Sequence, residues 1–520
     1  MTIYSYAPAG YHGHIVTVEV DCRVGIPGMD IVGLPASEVR EARDRARVAI
    51  RNSGLTFPAQ RILVNLSPAD VPKAGNGFDL AIAAAILASS GQLDPLGPAG
   101  VMMIGELHLD GAVGPVRGVI AAVAEGVDEG IGAFIVPREN ASEARAVSRG
   151  RSIGVGRLVD LREAVRRLAP GTANPSIDPG EPAVVRPPAR GAHTPATSGL
   201  LTDYAELRGL GDLKRVIEIA AAGGHHLIVV GPPGAGKSAA AGLLPTILPP
   251  LSHREAVEVT RIHSLASERG GSAGLAVDRP FRAPHHNTST EGLLGGRLPE
   301  IPGEVPLAHC GTLFLDEALE FRRPVLQGLR EPLERRRVRV ARARGNYWFP
   351  ARIQLVLATN LCPCGMLGRA DRICMCSIAE VERYWRRLGG PLLDRIDLRA
   401  QVEPLPLEQL PHTDSSASMA RRVAAAIRFR GDARCQRQRN GDLTAVQAVE
   451  EARMTAAARI AFERAGRALG FSTRASLSAL RIARTIADLA GAMRVDEEHV
   501  LEAVSYRRTG EVRPLWQPEL

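Results

Sequence analysis

The spacing of apolar and polar positions predicts an alternating α/β part followed by a helical part. In the first third of the chain, short runs with strand-like alternation are separated by alanine-rich stretches with helical spacing. The predicted strands include Ile15–Val20, Arg61–Leu66 and Gly132–Val136, and the predicted helices include Ser37–Asn52, Asp79–Ser89 and Val116–Glu129. This pattern predicts a mixed α/β domain over residues 1–169.

A proline-rich segment and a change of pattern divide the rest of the chain. Residues 170–199 contain seven prolines and almost no large apolar residues, so they are predicted to be a linker. A second α/β pattern covers 200–404, and helical spacing covers 405–520, with Ser472 as the expected N-cap of one helix. The predicted fold class is therefore α/β, with a C-terminal helical domain.

Composition narrows the class of protein without deciding its function. The chain of 520 residues is 45% apolar and 23% charged, as in ordinary globular proteins of several domains. Its N-terminus does not resemble a secretory signal, and the longest apolar run, Leu80–Ala88, is too short to cross a bilayer. We therefore expect a cytoplasmic protein without a membrane partner. The net charge of +8 favours an anionic partner only where it is clustered.

The strongest chemical signal is a phosphate-binding loop. The apolar run His226–Val230 precedes G-P-P-G-A-G-K-S at 231–238, and a helical pattern follows. Backbone N–H groups of such a loop face phosphates, while Lys237 reaches the β and γ phosphates and Ser238 ligates Mg²⁺. The predicted ATP contacts are Gly231, Pro232, Pro233, Gly234, Ala235, Gly236, Lys237 and Ser238.

Three further segments supply the other groups that ATP hydrolysis needs. T-L-F-L-D-E at 312–317 ends in Asp316, expected to hold Mg²⁺, and Glu317, expected to activate water. The next apolar run ends at Asn360, which is placed to orient that water. Arg395 in P-L-L-D-R-I-D-L could complete the site of a neighbouring subunit. The alternative for Arg395 is a local salt bridge with Asp394 or Asp397.

Several motifs together resemble the Mg-chelatase-like AAA+ family typified by ComM and YifB. The resemblance covers nearly the whole chain and rests on these segments: R-P-F-R-A-P-H-H (279–286), G-T-L-F-L-D-E (311–317), A-T-N-L-C-P-C-G (358–365), G-P-L-L-D-R-I-D-L (390–398) and A-R-T-I-A-D-L-A-G (483–491). It implies a ring-forming, hexameric ATPase that uses ATP and Mg²⁺. It further implies action on single-stranded or branched DNA, as a helicase or branch-migration motor in recombination or natural transformation, with recombination proteins as partners.

The same resemblance assigns roles to individual residues. Asn360 matches the sensor residue, Arg395 the arginine finger, and a lid arginine the second sensor, for which Arg474 is preferred and Arg481 is the alternative. Leu210 stands where relatives usually carry Gln, so we assign no adenine contact there. Apart from the resemblance, His285 and His286 could ligate a metal, but beside Arg282 they are expected to contact nucleotide or DNA.

Residues 1–165 resemble the Lon proteolytic fold but lack its chemistry. The segments 71–79 and 105–115 match those that carry the Ser–Lys dyad, and Gly77 and Ile120 occupy the serine and lysine positions. A side chain without a hydroxyl and an alkyl base cannot carry out acyl transfer. The domain is therefore expected to be an inactive structural or interaction domain.

A run of arginines predicts a basic β-hairpin between the acidic pair and Asn360. Arg335, Arg337, Arg339, Arg342 and Arg344 lie in E-R-R-R-V-R-V-A-R-A-R-G-N-Y-W-F-P (334–350), with a turn expected at Gly345-Asn346. The arginines are predicted to neutralise DNA phosphates, and Tyr347 or Trp348 to stack bases. The alternative is an edge strand that charge protects from aggregation.

Four cysteines form two C-x-C pairs just after Asn360. Cys362, Cys364, Cys374 and Cys376 can close a tetrahedral site, and zinc is the usual occupant of a four-thiolate site. We expect a structural Zn²⁺, with a redox switch or metal-free thiols as the alternatives. Cys22, Cys310 and Cys435 have no partner by spacing and are predicted to be packing residues.

Three functions from different classes remain open at this point. An ATP-driven DNA motor is favoured, because a chelatase motor that remodels a protein partner needs neither the arginine hairpin nor the cysteine cluster. A scaffold that binds ATP without turnover is disfavoured by Glu317 and Arg395. Stimulation of ATP hydrolysis by DNA, by a chelatase partner or by neither separates the three.

Overall fold

The computed structural model describes residues 2–94, 100–148, 151–168, 201–266, 275–296, 301–342, 345–369, 372–403 and 414–508, without the side chains of 341, 342, 345, 346 and 508. The predicted linker at 170–199, the residue Arg344 and the side chain of Arg342 lie outside this description. Within it, the predicted α/β class with a C-terminal helical region is confirmed.

The N-terminal domain is a mixed sheet covered by helices. Its strands are β1 (Ile3–Ala9), β2 (His12–Arg23), β3 (Gly28–Val32), β4 (Arg61–Ser67), β5 (Val101–Met103), β6 (Glu106–Leu107), β7 (Val113–Gly114), β8 (Phe134–Pro137) and β9 (Ser152–Val155). Its helices are α1 (Ser37–Asn52), α2 (Asp79–Ser89), α3 (Val119–Asp128), α4 (Ala141–Ser148) and α5 (Leu161–Leu168). Seven strands form one sheet in the order β3-β4-β2-β1-β5-β8-β9, and β6 pairs with β7 separately.

The predicted elements of this domain agree with the structure in different degrees. Helices α1 and α2 have the predicted bounds. Helix α3 begins three residues later than predicted, because Gly118 before it has the left-handed φ of +77° and cannot belong to the helix. Strand β2 is longer than the apolar run suggested, since its length serves antiparallel pairing with both β1 and β4.

The central domain contains an all-parallel five-stranded sheet. The strands of this sheet are β10 (Leu227–Val230), β11 (Phe281–Arg282), β12 (Thr312–Leu315), β15 (Gln354–Thr359) and β16 (Leu398–Gln401). Two further strands, β13 (Arg337–Arg342) and β14 (Gly345–Pro350), form a separate hairpin. The sheet order is β11-β12-β15-β10-β16. Strands β10, β12 and β15 are buried along their whole length, which explains their continuous apolar sequences. Because all five strands are parallel, the loops that follow them meet at one edge.

Helices and short turns surround this sheet. The helices are α6 (Gly211–Gly223), α7 (Lys237–Gly242), α8 (His253–Ala266), α9 (Thr290–Leu294), α10 (Glu304–Leu307), α11 (Arg323–Gly328), α12 (Arg330–Arg335), α13 (Ile378–Trp385) and α14 (Gly390–Leu393). Short 3-10 turns in the chain include 76–78, 138–140, 158–160, 204–206, 244–247, 318–320 and 440–442.

The C-terminal domain is helical in the residues that the structure describes. Its helices are α15 (Ser416–Asp432), α16 (Ala445–Ala452), α17 (Ala456–Ala468), α18 (Thr473–Leu489) and α19 (Glu497–Arg508). Ser472 accepts a hydrogen bond from the N–H of Ala475, as predicted for the cap of α18. Its apolar side chains share one core with the ATPase sheet. Among the described helices, none is long and apolar enough to cross a membrane.

Candidate functional site: a phosphate loop and its arginine partners

The phosphate loop leaves β10 and enters α7. Gly234 and Gly236 have φ values of +80° and +81°, a left-handed backbone that glycine adopts without strain. Lys237 begins α7, and its side chain folds back so that Nζ donates to Gly231 O at 2.7 Å and to Pro232 O at 2.8 Å. Ser238 follows in the first turn of the helix and is half-buried. The predicted loop therefore has the backbone that phosphate binding requires.

Three neighbouring strands bring the other predicted residues to the same edge of the sheet. Lys237 Nζ also donates to Asn360 Oδ1 at 3.1 Å, directly after β15. Asp316 and Glu317 follow β12, whose Leu315 pairs with Leu357 of β15. Burial lowers the pKa of Lys237, and the charges of Asp316 and Glu317 oppose that shift. The carboxyl edge thus combines a cation, two carboxylates and an amide, which fits the phosphates and metal of Mg²⁺·ATP.

Two histidines adjoin the acidic pair. His286 Nδ1 lies 3.8 Å from Glu317 Oε2, and the rings of His285 and His286 have centroids 4.0 Å apart. Arg282 does not extend this group, because both of its bonded nitrogens donate to Glu304, at 2.6 and 2.8 Å. The histidine pair therefore lies next to the residue expected to activate water.

Two supporting contacts were not predicted from the sequence. Tyr204 is fully buried, and its hydroxyl donates to Ala240 O in α7 at 2.7 Å, which fixes the helix behind the phosphate loop. Leu210 packs on the loop itself, since a Cβ at Gly236 would lie 2.9 Å from Leu210 Cδ1. Both contacts join residues far apart in sequence, and no local pattern marks them.

Arg395 and Arg474 meet on one carboxylate. Arg395 Nη2 and Arg474 Nη2 both donate to Glu334 Oε1, the latter at 3.2 Å. The hydrogen bond from Arg395 is the main cause that lowers the pKa of Glu334. Arg395 thus pairs with Glu334 rather than with Asp394 or Asp397, the two partners that the alternative interpretation expected. Glu334 was not identified from the sequence, because it lies 61 residues before Arg395.

These arginines lie away from the phosphate loop of their own chain. Arg395 comes three residues before β16, at the amino edge of the sheet, whereas Lys237 and Asn360 follow strands at the carboxyl edge. Strand β16 spans four residues, so roughly 10 Å of strand separates the two edges. Arg474 accompanies Arg395, while Arg481 donates elsewhere, to Leu443 O. Arg474 therefore shares a partner with Arg395, whereas Arg481 does not.

The four cysteines lie together beside the phosphate loop. The Sγ atoms of Cys362 and Cys364 are 3.4 Å apart, and that of Cys374 lies 3.6 Å from each of these two. All four Sγ atoms, including that of Cys376, lie within 4.8 Å of one another. In a tetrahedral site with Zn–S bonds of about 2.3 Å, sulfur atoms are about 3.8 Å apart. The thiol arrangement therefore fits one zinc ion.

The cysteine loop also contacts the residues that handle phosphate. Gly365 turns with a φ of +74°, and a Cβ there would lie 3.1 Å from Pro233 Cγ and 3.9 Å from Asn360 Nδ2. A bond from the Met366 N–H is the main cause that lowers the pKa of Cys364 to about 7, while burial raises that of Cys374 to about 12. A shift in this loop would be transmitted directly to Pro233 and Asn360.

The predicted basic hairpin exists, with corrections to its ends. Arg337 and Arg339 are exposed on β13, and Val338 and Val340 between them are buried. The strand assignment was wrong for Arg335, which ends α12 and pairs with Glu331 at 3.6 Å. The turn is also wrong, because Gly345 pairs with Arg342 and so belongs to β14 rather than to a Gly345-Asn346 turn.

The aromatic residues of the hairpin face the N-terminal domain. The N–H of Tyr11 donates to Trp348 O at 3.1 Å, and the Trp348 ring lies 5.6 Å from that of Tyr11 and 5.1 Å from that of His12. Arg261 of α8 lies over the Tyr11 ring at 4.4 Å and donates to Glu125 of α3 at 2.5 Å. The ring of Trp348, one of the two residues expected to stack bases, thus forms part of a contact between domains.

Comparison with known proteins agrees with this geometry. Family models described as magnesium chelatase subunit ChlI match residues 203–410 and 18–140, and a model of its C-terminal region matches 413–507. YifB of Escherichia coli is 38% identical over 97% of this chain and 96% of its own length. The competence protein ComM of Haemophilus influenzae is 37% identical over 97% of each, and an uncharacterized protein of Mycobacterium tuberculosis is 38% identical over 98% of each.

This chain belongs to the Mg-chelatase-like AAA+ family of ComM and YifB. Family membership implies an ATPase that uses ATP and Mg²⁺, and Lys237, Ser238 and Asp316 fit that pair of ligands. Gly77 and Ile120, the residues predicted to stand at the positions of a protease dyad, lie within the region that the N-terminal family model matches. Ile120 is fully buried in α3, and a Cβ on Gly77 would lie 3.3 Å from Ile104 Cγ2.

Proposed function

We propose that this chain is an ATP-hydrolysing, ring-forming motor that moves single-stranded or branched DNA during recombination or natural transformation. The observation that carries the proposal is the separation of Lys237 from Arg395 and Arg474, at opposite edges of one sheet. A hydrolytic site that needs all three is completed when the amino edge of one subunit faces the carboxyl edge of the next. A closed ring, such as a hexamer, satisfies every site in this way.

Within each site, the residues divide the work of phosphoryl transfer. Lys237 and the loop N–H groups hold the phosphates, and Asn360, bonded to Lys237 Nζ, holds the attacking water in line. Glu317 accepts a proton from that water. Bound Mg²⁺, held by Ser238 and Asp316, supplies charge neutralisation on the phosphate oxygens. Arg395 and Arg474 of the neighbouring subunit then stabilise the negative charge of the transition state.

The proposed DNA contact adjoins the trans arginines in sequence and in space. Glu334, which holds Arg395 and Arg474, lies in α12, and two residues separate it from the exposed Arg337 that begins β13. Among the described residues, neither Arg337 nor Arg339 has an ion pair, so both guanidinium groups are available to phosphates. A DNA strand on β13 would therefore act on the carboxylate that positions the arginines. The name of the relative ComM, a competence protein, supports DNA as the substrate.

Two further assignments belong to this proposal. The cysteine cluster holds a structural Zn²⁺, because all-thiolate ligation leaves no open position and the sulfur separations fit. The N-terminal domain is not a protease, because Gly77 offers no nucleophile and Ile120 no base.

The experiment measures ATP hydrolysis with no DNA, with single-stranded DNA and with forked DNA. The proposal predicts stimulation by at least one DNA, which a chelatase motor or a non-hydrolysing scaffold would not display. The salt dependence of DNA binding locates the contact: Arg337→Ala with Arg339→Ala should flatten the log–log slope by roughly 0.7 to 0.9 per arginine. Arg335→Ala, whose side chain pairs with Glu331, is the matched control. Hydrolysis that no DNA changes would contradict the proposal.

A further inference from the structure

A cavity lies at the amino edge of the ATPase sheet, between the sheet and the C-terminal domain. Its volume is about 570 Å³, within the range of cavities that bind small molecules. Ala222 and Gly224 before β10 and Gly311 before β12 line one side, and Arg430, Arg437 and Arg439 of the C-terminal domain line the other. The phosphate loop follows β10 at the opposite edge, so this cavity is separate from the ATP site.

The walls of the cavity carry an excess of positive charge. Seven arginines line it, against the three acidic residues Glu255, Glu258 and Asp442. Each carboxylate is already shared by two cationic or potentially cationic side chains. Glu255 accepts from Arg279 and Arg352, Asp442 pairs with Arg336 and Arg439, and Glu258 pairs with Arg254 and His309.

The neighbouring arginines keep these carboxylates ionised, so each carboxylate remains an anion that is paired with the cations next to it. Burial alone would raise the pKa of Glu255, but the hydrogen bond and charge of Arg279 outweigh it and lower the pKa to about 2. Burial would also raise the pKa of Asp442, but the charge and hydrogen bond of Arg439 outweigh it and lower that pKa. The surplus therefore consists of Arg430 and Arg437, which have no carboxylate partner among the residues that the structure describes.

Arg430 is the buried member of that surplus. Its residue is 7% exposed, Nη1 donates to Ala222 O at 2.9 Å, and Nε has no hydrogen-bond partner in the described residues. The nearby carboxylate of Asp488 does not serve it, because Asp488 is bonded by Arg434, Arg484 and Asn440. A buried guanidinium with an unsatisfied donor costs free energy unless an anion reaches it.

We propose that this cavity binds a small phosphate-bearing anion that bridges the ATPase core and the C-terminal helical domain. Guanidinium groups pair with phosphate oxygens through two parallel hydrogen bonds, which explains why arginines rather than lysines line the site. Contacts from Arg430 and Arg437 on one side and from Arg352 on the other would hold the two domains together. The side-chain hydrogen bonds of Arg352 to Glu255 and Cys310 both use Nη2. The inference goes beyond the proposed motor function and does not depend on DNA.

The test is calorimetric titration of the full chain with sodium pyrophosphate. Every sample carries Lys237→Ala, because this change weakens the binding of pyrophosphate at the phosphate loop, which would otherwise compete with the cavity. The proposal predicts saturable binding that weakens about tenfold or more with Arg430→Gln and by a smaller factor with Arg437→Gln. Arg428→Gln, an exposed arginine on the same helix, should leave the dissociation constant unchanged. Parallel titration with adenosine monophosphate decides whether a nucleotide or an inorganic anion is preferred.

Since Arg430→Gln removes a buried group, its fold is checked by circular dichroism, and the exposed Arg437→Gln keeps the test valid if Arg430→Gln does not fold. Equal dissociation constants in all variants, or no saturable binding, would overturn the proposal. So would a loss of single-stranded DNA affinity in Arg430→Gln without any binding of pyrophosphate, because the cavity would then belong to a DNA surface. Neither result depends on ATP hydrolysis, so failure here is distinct from failure of the motor proposal.

Discussion

At the carboxyl edge of the ATPase sheet, Lys237, Asp316 and Asn360 come together from three neighbouring strands, whereas at the amino edge Arg395 and Arg474 meet on Glu334. The carboxyl edge can hold phosphates and a metal, but in the described part of the chain no arginine accompanies Lys237, Asp316 and Asn360 there. The amino edge has two arginines whose common partner is an exposed carboxylate that a stronger anion can replace. Under the proposed function, this difference means that each chain carries two halves of a site and completes neither alone.

Removing the proton acceptor at the carboxyl edge is expected to have the largest effect. Glu317→Gln keeps the shape of the side chain but loses the base, while Asp316 and the phosphate loop still bind Mg²⁺·ATP. We expect the hydrolysis rate to fall by about a hundredfold or more with nucleotide affinity nearly unchanged. Steady-state hydrolysis and equilibrium nucleotide binding measure the two quantities. A rate equal to that of the unaltered chain would remove Glu317 from the mechanism.

A change at the amino edge separates the two candidates for the second sensor. Arg474→Ala is expected to lower the hydrolysis rate about tenfold or more, because Arg474 lies with Arg395 on Glu334. Arg481→Ala is the matched variant on the same helix, and its side chain bonds Leu443 O instead. A larger loss in Arg481→Ala, in protein that keeps its helical content, would reverse the assignment.

Changes in the cysteine loop show whether hydrolysis at the carboxyl edge depends on a bound metal. The chain should bind about one zinc ion, and Cys362→Ser with Cys364→Ser should abolish that binding. Hydrolysis should then fall severalfold to tenfold, because the loop contacts Pro233 and Asn360. Elemental analysis and hydrolysis assays are made on the same samples, with Cys435→Ser as the control. Little zinc in the unaltered chain and full activity in the double variant would exclude a structural metal.

The contact of the N-terminal domain with the hairpin should matter least for basal turnover. Arg261→Ala removes the cation from the Tyr11 ring and from Glu125, so the free energy of unfolding should fall by about 2 kcal/mol. Basal hydrolysis should stay within about twofold, while stimulation by DNA should decline. Arg254→Ala on the same helix, with a side chain that is 90% exposed, should cost little stability. Chemical denaturation compares the two, and equal stabilities would remove Arg261 from the contact.

The sequence allowed the carboxyl edge to be predicted better than the amino edge. Asp316 and Asn360 each directly follow an apolar strand, and Lys237 ends the loop that leaves a third strand, so the parallel sheet brings the three positions together without further information. The pairing of Arg395 with Glu334 joins separate elements across 61 residues, which local spacing does not encode. The misplaced hairpin turn has another cause, since Gly345-Asn346 is a strong turn signal that the observed pairing register overrides. The contact of Trp348 with Tyr11 could not be predicted from the sequence, because the two residues lie in different domains.

The central claim, that neighbouring subunits complete each hydrolytic site, is tested most directly by mixing two inactive variants. Arg395→Ala keeps an intact carboxyl edge, and Glu317→Gln keeps an intact amino edge, so a mixed ring contains some interfaces with both halves unaltered. We predict that hydrolysis reappears on mixing and passes through a maximum at an intermediate ratio of the two variants. Activity that stays at the level of the separate variants at every ratio, in mixtures shown to co-assemble, would contradict the shared site.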